Sequence, residues 1–232
     1  MSASVPTLLI ALLGGLLPAL LWLWFFLHED PHPEPRAKLA ETFIAGIIAV
    51  FFALGLEYLV QPVLFSDTSA AVLLLWSFIE EGLKLVAAWL VALRMNVFDE
   101  PVDAIVYLLT VALGFAALEN TLFLISPISE AAYLNTLLTG SLRFVGATLL
   151  HVVTSGILGA SLALSYYRRA RIQRRAVGIG LMAATALHWW FNLLIIDISQ
   201  TALLQVFLVV WVGVISLMLL FERAKRLEIS HS

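Results

Sequence analysis

Hydrophobic residues in this chain are gathered into long blocks separated by short polar breaks. A helix needs about 20 apolar residues to cross the hydrocarbon of a bilayer. Seven such blocks fall at about 7–27, 40–61, 69–93, 103–126, 138–165, 176–197 and 201–221. The breaks carry loop punctuation: His28-Glu29-Asp30-Pro31-His32-Pro33-Glu34-Pro35, then Pro62 with Ser66, Asp67 and Thr68, then the polar stretches 94–101 and 166–175. The interval 126–137 is less polar and has room for a re-entrant piece. The pattern predicts an all-α polytopic helix bundle of about seven transmembrane helices, one transmembrane domain over residues 1–232. The first block lacks a basic leader, runs long and shows no A-x-A site, so it reads as a retained span rather than a signal peptide.

Lysine and arginine fix the expected orientation. With seven spans, Arg36, Lys38, Arg94, Arg168, Arg169, Arg171, Arg174, Arg175, Arg223, Lys225 and Arg226 all fall on one side. That is eleven of the thirteen basic residues, and the other two, Lys84 and Arg143, lie inside spans. The N-terminus is expected outside and the C-terminus in the cytoplasm of a multi-pass cell-membrane protein. The five arginines at 168–175 suit a topology determinant touching anionic lipid.

Composition sharpens this picture by exclusion. The chain is 62% hydrophobic and 12% charged, with mean hydropathy +0.99, too little charge to cover a soluble domain. Without cysteine there is no disulfide framework, iron–sulfur cluster, Cys-based zinc site or Cys nucleophile. A net charge of −3 gives no footprint for nucleic acid.

Ionisable residues inside the blocks then stand out. Span three holds Glu80-Glu81 and Lys84, span four Glu119-Asn120, span five Arg143 and His151, and span six His188 and Asn192. Each central charge costs about 2.5–3.5 kcal/mol on insertion scales, and apolar packing would hold a bundle without them, so the group reads as a functional site. Glu80 and Lys84, four apart, share a helix face and can pair, with Glu81 about 100° round and still able to face the bundle interior. His188 and Asn192 likewise stack on one face. Arg143, Ala147, His151, Ser155 and Gly159 form one ridge whose small members admit a close neighbour. At 1.5 Å per residue, Glu80 lies roughly 16 Å into its span, with His151 and His188 at similar depth, so the groups are expected to converge on one cavity.

Carboxylates, imidazoles and an amide are the equipment for activating water. A glutamate can accept the water's proton, and Asn192 can donate to a developing oxyanion. Glu119, His151 and His188 alternatively have the ligand types of a three-residue catalytic zinc site, Zn2+ being the candidate ion. Either arrangement hydrolyses amides. A literal H-E-x-x-H at His28–His32 is discounted, because that motif needs a helix and Pro31 and Pro33 break one.

Taken in order, Glu80-Glu81-x-x-Lys84, Asp99-Glu100-Pro101-Val102-Asp103, Phe115-x-x-x-Glu119-Asn120, Arg143 leading to His151, and His188-x-x-x-Asn192 resemble the PrsW family of intramembrane proteases, distant relatives of the CAAX prenyl proteases. The resemblance covers residues 76–192. It departs from the family at Ala104 and Leu108, where small glycines are expected. It implies a peptidase, glutamic or metallo in type, that cuts a membrane-tethered, single-pass protein or peptide; in the best-known members this is the first cut of an anti-sigma factor. Carried over, Glu80 and Glu81 are the catalytic glutamates, with Glu80 as the base. Glu119, His151 and His188 complete the water- or metal-binding set, and Asn192 assists the oxyanion. Lys84, Asn120 and Arg143 support them, Lys84 as a charge partner for Glu80 or Glu81 and Arg143 as an ion-pair partner for Glu119 or lipid. The rival function is a proton- or ion-coupled transporter using the buried Glu and His residues as a relay. A membrane scaffold without activity is a third.

Overall fold

Each apolar block forms a helix in the computed structural model, which describes residues 4–64, 69–129, 146–196 and 200–229. The helices are α1 (Val5–Leu27), α2 (Arg36–Leu64), α3 (Ala70–Ala88, closed by a π-turn at Trp89–Leu93), α4 (Pro101–Ser129), α5 (Thr148–Ala163), α6 (Ala170–Ile196) and α7 (Gln200–Ile229). No strand occurs among the described residues. Five of the helices are long and apolar enough to cross a membrane. Of the other two, α3 carries Glu80, Glu81 and Lys84, and α5 is described over 16 residues only. The amino-terminal part of the fifth expected span, with Arg143, lies outside the described residues.

Several helices outrun the apolar blocks. The α2 helix starts at Arg36 rather than near residue 40, α6 at Ala170 rather than 176, and α7 continues to Ile229 rather than 221. Hydropathy marks only the hydrocarbon-length part, whereas a helix can continue into the polar interface. Local chemistry sets other ends. Ser4 caps α1 by accepting the Thr7 N–H at 3.4 Å. Pro101 opens α4 with a ring that needs no hydrogen-bond partner, and Asp103 reaches back to accept the N–H groups of Asp99 and Glu100, both at 2.9 Å. The Asp-Glu-Pro-Val-Asp run is thus a helix start.

The centre of the bundle is α4, with α1, α2 and α5 packed along it. From Val102 to Ala117 it is buried on every side. Small residues make that possible. Ala11, Gly15 and Ala19 on α1 are buried at four-residue spacing, and a Cβ on Gly15 would meet the Thr121 hydroxyl and the Ala117 carbonyl of α4. A Cβ on Gly46 of α2 would run into the Val111 carbonyl, and one on Gly114 of α4 into the Phe43 carbonyl. Gly159 of α5 comes within 2.8 Å of the Ala104 carbonyl, measured from an added Cβ. The close approach at Ala104 is therefore supplied by the glycine on the opposing helix. Outer faces present Ile10, Phe51, Phe52, Phe207 and Leu208, as lipid-facing surfaces do.

Three connections and the end of α7 meet at one end of the bundle. Lys225 on α7 pairs with Glu29 at 3.0 Å, His32 with Glu100 at 2.8 Å, and Phe98 packs edge-on against Tyr166. His28, the C-cap of α1, turns its Nδ1 to the Trp24 carbonyl at 2.6 Å, so His28 and His32 have separate partners and the literal H-E-x-x-H forms no site.

Gly46→Val is expected to destabilise the protein by about 1–3 kcal/mol, because backbone atoms of α4 cannot move aside as a side chain would. Gly55→Ala, with nothing within 4 Å of the added Cβ, is expected to be neutral or stabilising. Thermal unfolding of the two variants in the same detergent checks the contrast.

Candidate active site

Four helices bring the buried ionisable residues together. Glu80, Glu81 and Lys84 come from α3, Glu119 and Asn120 from α4, His151 from α5, and His188 and Asn192 from α6. Glu81 is the hub and is fully buried. Its Oε1 accepts from Lys84 Nζ at 2.7 Å, His188 Nδ1 at 2.8 Å and Thr154 Oγ1 at 3.0 Å, and its Oε2 from Ser155 Oγ at 3.4 Å. The ion pair therefore joins Lys84 to Glu81, three residues back, instead of to Glu80, four back. Glu81 turns toward α5 and α6, where donors await it, and Lys84 follows. The ammonium also meets His151 Nδ1 at 2.8 Å and lies 4.7 Å from the Phe115 ring centroid.

These partners assign the imidazole tautomers. A carboxylate on His188 Nδ1 requires a proton there, and Nε2 faces Glu80 Oε2 at 3.8 Å. Lys84 donates to His151 Nδ1, which puts the His151 proton on Nε2, donated to Glu119 Oε2 at 2.7 Å. The two rings sit edge to face with centroids 5.2 Å apart.

Glu80 differs from the rest. Its Oε2 is buried with no hydrogen-bond partner. Glu80, His151 and His188 each offer one ligand atom, and these lie within 4.8 Å of one another. Two imidazoles and one carboxylate form a donor set found in catalytic zinc sites, and a carboxylate behind His188 is the usual outer partner of a ligating histidine. The residues thus fit a metal, with Glu80 in the third position and Glu119 behind His151. For His151 to ligate, one ring nitrogen must exchange its present partner.

The remaining expected residues sit around this core. Asn120 donates to Thr148 Oγ1 at 2.8 Å and ties α4 to α5. Asn192 donates to Ser77 Oγ at 3.4 Å, on the side of α6 that faces α3. Trp189 donates to the Ala70 carbonyl at 2.7 Å across the same seam. Arg143 lies outside the described residues. Sequence reasoning missed Thr154, whose signal was its place one turn after His151. It also missed Glu57, the only charged residue between Glu41 and Asp67. Glu57 sits half-buried on α2, close enough to feel the carboxylates of Glu119 and Glu80.

A helical membrane protein whose core holds carboxylates and imidazoles at hydrogen-bond and metal-ligand distances has the make-up of an intramembrane hydrolase. Over residues 34–220 the sequence matches the family described as "PrsW family intramembrane metalloprotease", and the chain belongs to that family. It is 28% identical to "Protease PrsW" of Bacillus subtilis (strain 168) over 189 residues, 81% of this chain and 83% of that protein. It is 32% identical to "Protease PrsW" of Geobacillus kaustophilus over 116 residues, 50% of this chain and 52% of that protein. To "Protease PrsW" of Shouchella clausii it is 25% identical over 185 residues, 79% and 82% of the two chains. No solved structure matches it. The protein is thus a multi-pass membrane peptidase acting on a membrane substrate, and the transporter reading gives way.

Removing the charge of Glu81 would strand the Lys84 ammonium in the core. Glu81→Gln is expected to cost about 3–5 kcal/mol of stability. Glu80→Gln, at a position with no ion pair to Lys or Arg among the described residues, is expected to unfold within a few degrees of wild type. Thermal unfolding in detergent distinguishes the two glutamates.

Proposed function

We propose that the protein hydrolyses a peptide bond of a single-pass, membrane-tethered protein at the site formed by Glu80, His151, His188 and Glu119, with Zn2+ as the metal. The observation that carries this reading is the buried Glu80 Oε2, without a hydrogen-bond partner and 3.8 Å from His188 Nε2. Polar atoms left open in a core are costly unless they have a use.

Glu80, His151 and His188 would hold the metal, which when bound supplies Lewis acidity at the scissile carbonyl and acidifies water. Glu81 holds the His188 ring with Nε2 turned toward Glu80, and Glu119 anchors the His151 ring. Glu119, whose side chain is 22% exposed, takes the proton of the attacking water. As the C–N bond breaks, the same carboxyl returns that proton to the leaving amine. Asn192 supplies an N–H to the developing oxyanion, for which it gives up its long contact with Ser77.

The roles of Glu80 and Glu119 here exchange those expected from sequence, because Glu80 lies within ligand reach of both histidines whereas Glu119 is bonded to one of them. An anti-sigma factor is the proposed substrate class. The end that gathers Glu29, Glu100 and Lys225 is proposed to face the cytoplasm, as the basic residues there favour.

Cleavage of a single-pass reporter by the purified protein tests the reading. Glu80→Gln is expected to lower the rate by about 10²–10⁴-fold, and Glu119→Gln by a comparable factor. A chelator is expected to stop cleavage by wild type, and added Zn2+ to restore it. Full activity in the chelator would overturn the metal assignment and return Glu80 to the role of base; full activity of Glu80→Gln would overturn the site.

A further inference from the structure

A second group of acids lies at the other end of α4, where the catalytic machinery makes no use of it. From Asp103 to Glu119 is sixteen residues of one helix, roughly 24 Å at 1.5 Å per residue. Glu34, in the connection between α1 and α2, Asp99, in the connection before α4, and Asp103, in its first turn, each offer a carboxylate oxygen, and these oxygens lie within 4.8 Å of one another. We infer that these three residues bind a hard divalent cation, Ca2+ or Mg2+, which clips the α1–α2 connection to the start of α4.

An acidic cluster alone would not require this. Asp103, however, has no accessible surface. Its Oδ2 is used by the N–H groups of Asp99 and Glu100, while its Oδ1 is buried and meets no N–H or hydroxyl donor, the carboxyl lying instead at hydrogen-bonding distance from that of Glu34. In the same connection as Glu34, Asp30 Oδ2 is also buried and unpartnered, and the Asp30 carboxyl feels that of Glu34. Glu34 is oriented by the Tyr107 hydroxyl, which donates to its Oε2. Among the described residues no ion pair joins Glu34, Asp99 or Asp103 to a Lys, Arg or His. Acids this close repel one another unless a cation or shared protons stand between them.

The donor set selects the kind of cation. Oxygen ligands alone, without imidazole or thiolate, suit Ca2+ or Mg2+ over zinc. An upper separation of 4.8 Å suits Ca2+, whose opposite ligands are roughly 4.8 Å apart, and Mg2+, at about 4.2 Å, would draw the widest pair closer. Asp99 is exposed and gives a route from water. Bound there, the ion would fasten two connections to the helix that carries Glu119 and Asn120.

The full-length protein in detergent, stripped of metal, is titrated with CaCl2 or MgCl2 while tryptophan fluorescence follows thermal unfolding. Either ion in about 100-fold excess over its Kd is expected to raise the midpoint by on the order of 5 °C. Glu80→Gln, which disarms the site between α3 and α6, is expected to keep the whole shift. Asp99→Asn, at an exposed position that leaves the Asp103 cap intact, is expected to lose it, and Glu34→Gln to lose most of it. No shift in wild type with either ion would overturn the inference in favour of shared protons. An unchanged shift in both Asp99→Asn and Glu34→Gln would place any bound ion elsewhere and overturn it equally.

Discussion

The buried carboxylate of Glu81 is the constraint around which the rest of the bundle is arranged. An anion in a low-dielectric core must be matched by a cation and by donors that fill its lone pairs. Lys84 supplies the cation from the same helix, three residues on, so this pair can form before the helices assemble and lowers the cost of placing α3 in hydrocarbon. The other donors are on different helices: Thr154 and Ser155 on α5 and His188 on α6. Once α3 is in the bilayer, its carboxylate selects which faces of α5 and α6 turn toward it. The contact with His188 sets the orientation of that ring, and Lys84, held by Glu81, donates to His151, so what satisfies Glu81 also prepares the site.

Around that hub the packing depends on close backbone approach more than on side-chain bulk. Lipid is as apolar as a leucine, so burial of apolar surface gives helices in a membrane little reason to associate. What remains is dispersion between surfaces that fit and polar contacts between helices. Gly46 and Gly114 at the α2–α4 seam and Gly159 at the α4–α5 seam provide the first. The Asn120–Thr148 bond and the Glu81 network provide the second. At Ala104 the room for close approach is supplied by Gly159 across the interface.

Both ends of α4 carry carboxylates, but in different surroundings. Near Glu119 they meet imidazoles and lie within reach of Lys84 through His151. Near Asp103 they meet backbone N–H groups, a tyrosine hydroxyl and further acids. The first set of neighbours favours nitrogen-and-oxygen metal chemistry and proton transfer, the second a structural ion. The difference comes from the elements that α4 touches at each end rather than from α4 itself.

Long apolar blocks could be read directly as helices, because a bilayer offers backbone groups no partner outside the helix. Glu80, Glu81, Lys84, Glu119, His151 and His188 were likewise conspicuous because charge and imidazole are costly in hydrocarbon. Pairing was not legible. On α3 alone, Glu80 and Glu81 are equivalent partners for Lys84, and only the donors on α5 and α6 make Glu81 the anchor and leave Glu80 open. Nor could hydropathy show that α4 is the buried centre while α1 and α2 face lipid, since apolar residues suit both environments. Glu57, and the meeting of Glu34 with Asp99 and Asp103, stayed hidden because Glu57 is far along the chain from Glu80 and Glu119, and Glu34 from the other two acids, and only helix packing brings them together.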